Sequence, residues 1–244
     1  MVNPGKTVHS GCHKQETSLH DATTLPHAML MVMMEPPAHL EDEFNDWYDT
    51  EHFPQRRSLP GCIAASRWVC IDGWPRWMAL YDLASLDVLE SDAYRSMSGR
   101  QSTPWTRRIL SRTVGRRRVV ASALGETTAI QHAGWETSRL VVMGIPIASH
   151  ADALKVADGL QRQLAASNEV LQLRGFFETC VQPTVGGPHR GGVPAGIAWF
   201  IAALAAPAEQ TLLDAAREGA AGYPLTVFNV YTPYRRNAGP PADS

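Results

Sequence analysis

Phe44-Asn45-Asp46-Trp47-Tyr48-Asp49-Thr50-Glu51-His52-Phe53-Pro54 concentrates aromatic rings, carboxylates and one histidine. It reads as the end of a helix running from about Ala38 to Phe53. At 100° per residue, Leu40, Phe44, Trp47, Tyr48 and Glu51 fall within roughly a third of the circumference, and His52 lies just beyond that face. A helix at this place decides the fold through its neighbours. Before it, His27 to Met34 is a short apolar run ended by Glu35-Pro36-Pro37, which predicts a buried strand. After it, Gly61 to Asp72 and Arg76 to Leu83 read as two strands joined by a turn at Asp72-Gly73-Trp74-Pro75. Ser85 is placed to cap a second helix, Leu86 to Met97, closed by Gly99. Ser102 or Thr103 with Pro104 starts a short helix, Trp105 to Leu110, and Arg116 to Leu124 reads as a strand.

The order β-α-β-β-α-β is the ferredoxin-like arrangement. Residues 125–137 carry no periodic pattern and read as a linker. The order then repeats with strand Leu140 to Ile147, helix His150 to Ala166, strands Val170 to Val181 and Ile197 to Leu204, helix Ala208 to Arg217 and strand Leu225 to Tyr231. Residues 182–196, rich in Gly and Pro, read as a long loop. The expected fold class is therefore α+β: two fused ferredoxin-like units, 27–124 and 138–236, between tails at 1–26 and 237–244. Each antiparallel sheet carries helices on one face only, so its bare face needs cover. Packing the two sheets together supplies it and predicts a barrel-like core with room for a pocket at one end.

Composition narrows the partners. A hydrophobic fraction of 44% supports a sizeable core, and a net charge of -2 gives no general attraction to nucleic acid or an anionic membrane. The arginines between Arg107 and Arg118 form a basic cluster, but Glu35 to Leu124 holds as many acidic as basic residues, so internal pairing is expected. No apolar run reaches the roughly 20 residues needed to span a bilayer. The first residues lack the apolar core of a secretory signal. Cys12, Cys62, Cys70 and Cys180 form no C-x-x-C pair, which fits a reducing cytoplasm. His9, Cys12, His13 and His20 are spaced for a soft metal, yet their polar, aperiodic surroundings read as a disordered tail, so no metal is expected.

The run Glu43 to Arg56, followed by Leu59-Pro60-Gly61 and later Pro104-Trp105-Thr106-Arg107-Arg108, resembles the EthD-like branch of the dimeric α/β-barrel superfamily, in which a W-Y-x-x-x-H-x-P pattern ends the first helix. The resemblance covers about Ala28 to Val120. The helix of the second half, Asp152 to Leu160, lacks the pattern, which makes the second unit a degenerate copy. The resemblance implies chemistry on a small aromatic or polyketide-like molecule. The superfamily includes cofactor-free monooxygenases, cyclases, dehydratases, decarboxylases, isomerases and more distant haem enzymes, and it does not select among them.

From these residues we expect a cytoplasmic enzyme that works without a cofactor on a small organic acid or ketone, alone or as a homodimer. The reaction would be a lyase or isomerase proton transfer. His52 is the general acid or base, with the dipole of a helix ending there favouring the acid role. Tyr48 is its catalytic partner. Trp47, Trp68, Trp77 and Tyr81 would line the substrate, and Arg67 or Arg108 would grip a carboxylate. Asp49 or Glu51 would orient His52 and raise its pKa. Ordinary core packing is the plainer role for the aromatics. Alternatives are a monooxygenase, cofactor-free or haem-dependent, and a non-catalytic ligand carrier. Phe176, Phe177, Glu178, His189 and Trp199 are the second half's candidates for a cavity or interface.

Overall fold

A computed structural model describes residues 26–125, 137–165, 167–178 and 196–234. Residues 1–25 of the expected tail, with His9, Cys12, His13 and His20, residues 126–136 of the expected linker, and His189 lie outside the described residues. The apolar runs become eight strands: β1 (Ala28–Glu35), β2 (Cys62–Asp72), β3 (Trp77–Leu83), β4 (Val114–Ala123), β5 (Arg139–Ile147), β6 (Val170–Glu178), β7 (Gly196–Leu204) and β8 (Val227–Pro233). They close into one antiparallel barrel in the order β1-β3-β2-β8-β5-β7-β6-β4. Each half contributes its strands in the order fourth, first, third, second, the ferredoxin-like order. The halves join edge to edge at two seams, β2 with β8 (Trp68 opposite Pro233) and β4 with β6 (Ser122 opposite Phe177). The barrel therefore closes within a single chain, and among the described residues every strand is paired on both sides.

Alternation along the strands sorts their side chains between inside and outside. Met29, Met31 and Met33 of β1, Met78 and Leu80 of β3, Phe176 of β6, Trp199 of β7 and Tyr231 of β8 point inward and fill the barrel. An eight-stranded barrel is just wide enough for such filling. The centre of the barrel is filled by these packed side chains. Within this core Arg174 of β6 is paired with Asp82 of β3 at 2.6 Å, the two side chains being 0% and 3% exposed. Trp199 donates its indole N–H to Glu178 at 2.9 Å.

The outward faces are covered by helices. In the second half, α5 (His150–Leu164) and α6 (Gln210–Gly219) lay Val156, Leu160, Leu212 and Leu213 over Met143, Ile145 and Phe200. In the first half the cover is α1 (Glu41–Trp47), which passes through a π-helical turn (Tyr48–His52) into α2 (Phe53–Arg57). Further cover comes from α3 (Asp92–Ser96) and α4 (Pro104–Leu110). No helix among the described residues is long and apolar enough to cross a membrane.

Three expectations change in detail. The helix expected from Leu86 to Met97 is split into a 3-10 turn (Leu86–Glu90) and α3, because the Ser91 hydroxyl accepts from the Tyr94 N–H and starts a new helix. Ser85 instead donates to Asp87. The first helix does not stop before Pro54 but continues to Arg57. Proline has no N–H and crowds the carbonyl four residues back. Just ahead of it the backbone widens, and the Phe53 N–H bonds to Tyr48 five residues earlier.

Candidate functional site

The widened turn carries Tyr48 and His52 and packs onto the outer face of the first-half sheet. Phe44, Trp47 and Tyr48 from the helix share one buried layer with Trp77, Ala79 and Tyr81 of β3. Trp77 and Tyr81 reach it together because residues two apart on a strand share a face. The His52 ring lies 4.5 Å from Trp47 and 5.3 Å from Tyr48, centroid to centroid. Phe53 and Tyr81 are 5.9 Å apart. Two polar atoms buried in this layer have no hydrogen-bond partner, Nδ1 of His52 and Nε1 of Trp77, while the Tyr81 hydroxyl has only the Tyr48 hydroxyl beside it. Buried polar groups are nearly always satisfied, so these two atoms set the layer apart from ordinary core.

The electrostatics reverse the expectation for His52. Burial first, then Arg56 and Arg67, lowers its pKa to about 3. The acid role rested on a helix terminus that is not there. The carboxylates expected to raise the pKa are turned elsewhere: Glu51 accepts from Thr103 at 2.5 Å and Thr106 at 3.0 Å, and Asp49 accepts from Arg67 and Tyr234. Thr106 in turn accepts the Trp47 indole N–H at 3.0 Å, which locks that ring under α4. His52 is thus a neutral imidazole at physiological pH, and the burial and cations that keep it neutral also make it a weaker base than a free imidazole. Burial pushes the Tyr48 phenol up to about 12, against the opposing pull of Arg67, Arg56 and the Tyr81 hydroxyl. Burial also raises Tyr81 well above the ordinary range. Both phenols stay protonated.

Arg67 faces this layer from β2, buried and held by Asp49 and, at 2.8 Å, by Asn45. Its guanidinium lies 4.3 Å from each of the rings of Tyr48 and Tyr234. It is engaged in a clamp rather than open to a substrate carboxylate. Tyr234, which follows β8, brings the second half to the site, and its ring also meets Trp77 at 5.0 Å. Two expected site residues are elsewhere. Trp68 follows Arg67 directly, so it points to the opposite face, into the barrel. Arg108 lies on the exposed side of α4, paired with Glu43 beside a shallow groove lined by Pro104 and Trp105. In the second half Phe176 and Trp199 pack inside the barrel, and Phe177 packs on the outer, helix-covered face.

Arg56 was not singled out from the sequence. It follows His52 by one helical turn, so both lie on the same face, and that spacing was the available signal. Asn45 and Tyr234 had none, since their importance comes only from contact with Arg67. No group of metal-binding side chains occurs among the described residues.

No protein-family model matches the chain, and neither does any curated protein sequence. Solved structures do. An anthrone oxidase-like protein is 10% identical with a TM-score of 0.58, covering 88% of this chain and 94% of its own. A candidate monooxygenase from Lactobacillus acidophilus NCFM is 9% identical with a TM-score of 0.49, covering 85% and 93%. Chlorite dismutase from Candidatus Nitrospira defluvii is 10% identical with a TM-score of 0.45, covering 86% and 93%. At such identities the likeness is one of fold. The fold is the dimeric α/β barrel, the fold that the resemblance of Glu43 to Arg56 implied.

Proposed function

We propose that the chain is an enzyme that removes a proton from a small organic substrate, with His52 as general base and Tyr48 and Tyr81 as hydrogen-bond donors to the oxygen that becomes negative. The observation that carries this reading is the neutral imidazole of His52, its Nδ1 buried without a hydrogen-bond partner, beside the two protonated phenols of Tyr48 and Tyr81. The step is deprotonation next to a carbonyl. The C–H electron pair moves into the carbonyl to form an enolate, and the proton passes to His52. Returning it at another position gives an isomer, and expelling a β-substituent gives an elimination product. An oxyanion facing two preplaced donors in a layer poor in water is stabilised chiefly through electrostatics. The resemblance supports an aromatic or polyketide-like acid or ketone as substrate.

Proton removal is measured by deuterium exchange into enolisable aromatic ketones in heavy water, followed by NMR. Wild-type protein is expected to catalyse exchange, and His52→Ala to lower the rate by about 10²–10⁴-fold while folding normally. Near-normal exchange by the variant sinks the assignment.

A second reading follows from the fold shared with an anthrone oxidase-like protein at a TM-score of 0.58. The same enolate is electron-rich and can react with dioxygen without a cofactor, which would make the chain an oxygenase. Oxygen uptake with substrate separates the two readings, because isomerisation and elimination consume none.

A further inference from the structure

Three arginines are buried among the described residues: Arg56, Arg67 and Arg174. Arg67 is paired with Asp49 and Arg174 with Asp82. Arg56, 7% exposed, has no carboxylate among the described residues. One terminal nitrogen donates to the Ser98 hydroxyl at 2.8 Å, the other to the Met97 carbonyl at 3.0 Å, and the guanidinium lies 4.6 Å from the Tyr94 ring centre. These partners are neutral. The next charge, Arg118, is another cation, which donates to the Tyr94 hydroxyl at 3.1 Å. The remaining groups acting on Arg56 are the protonated phenols of Tyr48 and Tyr81.

A buried charge without a counter-charge is expensive, and folds generally pair it or remove it. Arg56 retains it one helical turn from His52, on the same helix face. Its two bonds leave three of the five guanidinium N–H groups for a ligand, in a planar fork suited to two oxygens.

We propose that Arg56 is the anion-binding arm of this site and that its ligand is an organic oxyanion on an aromatic body, a carboxylate or a phenolate. The inference rests on the reading of the His52 layer as a binding site. It moves the carboxylate grip expected of Arg67 or Arg108 to a residue whose charge is not already spent. It also gives the enolate formed at His52 a cation nearby.

The test uses the full chain with three probes: 2-naphthoate, its neutral isostere 2-naphthamide, and 2-naphthol. In calorimetry the wild type is expected to bind naphthoate at least about tenfold more tightly than naphthamide, and naphthoate is expected to raise its Tm. Arg56→Gln is expected to bind the two equally and to show no Tm rise with naphthoate. Without ligand, Arg56→Gln is expected to be at least as stable as wild type, an outcome opposite to that of a purely structural arginine. Arg56→Lys keeps the charge and is expected to keep the preference, which covers the case of a glutamine variant that fails to fold. The red-shifted absorbance of bound naphtholate identifies a phenolate ligand, and its absence together with naphthoate binding identifies a carboxylate. His52→Gln is expected to retain the preference for naphthoate even though it loses proton abstraction, so failure of the base and failure of the anion arm are distinct results. Equal binding of naphthoate and naphthamide by wild type, no saturable naphthoate binding up to its solubility limit, or equal weakening of both probes in Arg56→Gln overturns the proposal.

Discussion

Replacing His52 by glutamine should change how stability depends on pH, and the change needs no substrate to observe. In the folded protein burial, Arg56 and Arg67 hold the imidazole at about 3, whereas in the unfolded chain it titrates near 6.5. Between these values the unfolded chain binds a proton that the folded chain refuses. Stability therefore falls as the pH is lowered through this window, by at most about 1.4 kcal/mol per pH unit. Above the window both states are neutral and the effect vanishes. From pH 7 to pH 5 the wild type is expected to lose about 2 kcal/mol more than His52→Gln. That value is an upper one, because His52 keeps some exposure and water screens the two arginines. Urea unfolding of both proteins at the two pH values gives the difference directly, with the remaining histidines common to both. Parallel losses would mean that His52 takes up a proton in the folded state near its ordinary pKa, and the lowering by burial, Arg56 and Arg67 would fall.

Other perturbations test the architecture and the support of the site. Asp82→Asn leaves Arg174 charged inside the barrel and is expected to cost about 3–5 kcal/mol, seen as a Tm drop of roughly 2–4 °C per kcal/mol; exchanging both partners for apolar residues should recover most of it, and a double variant as unstable as the sum of the singles argues against pairing. Gly159→Ala puts a methyl group 2.4 Å from the Gly219 carbonyl oxygen between α5 and α6; the helices must separate, and a loss of about 1–3 kcal/mol in urea unfolding is expected. Thr106→Val strands the Trp47 indole N–H and removes one donor to Glu51, with an expected cost of about 1–3 kcal/mol and altered tryptophan fluorescence, whereas an unchanged protein would show that Trp47 is held by packing alone.

Much of the fold was legible because its signals are local. Period-two alternation, the Pro and Gly breaks and the helical spacing of Phe44, Trp47 and Tyr48 each involve residues a few positions apart, and they yielded the β-α-β-β-α-β order in both halves. The contact of Tyr48 with His52 was legible for the same reason, since residues four apart on a helix are neighbours, whereas Trp47 meets His52 only because the π-helical turn brings residues five apart together. Helix length at Pro54 was misjudged because a π-helical turn is an adjustment of backbone bonds that composition does not reveal. Arg67 and Trp68 were placed together although adjacent strand residues face opposite ways. Arg108 was placed at the site although the pairing of α4 with α1 turns it outward.

The sequence by itself determined which segments are strands, which helix face is apolar, and that Tyr48 and His52 stand at the edge of that face, since these depend on spacing along the chain. Tertiary structure alone decided that β2 meets β8 and β4 meets β6 within one chain, that Tyr234 from the far end clamps Arg67, and that Arg56 is buried without an acid among the described residues. Those outcomes arise from groups far apart in sequence. The ionisation of His52 follows from them, because a pKa is set by the charges and the water that folding brings near a group or removes from it.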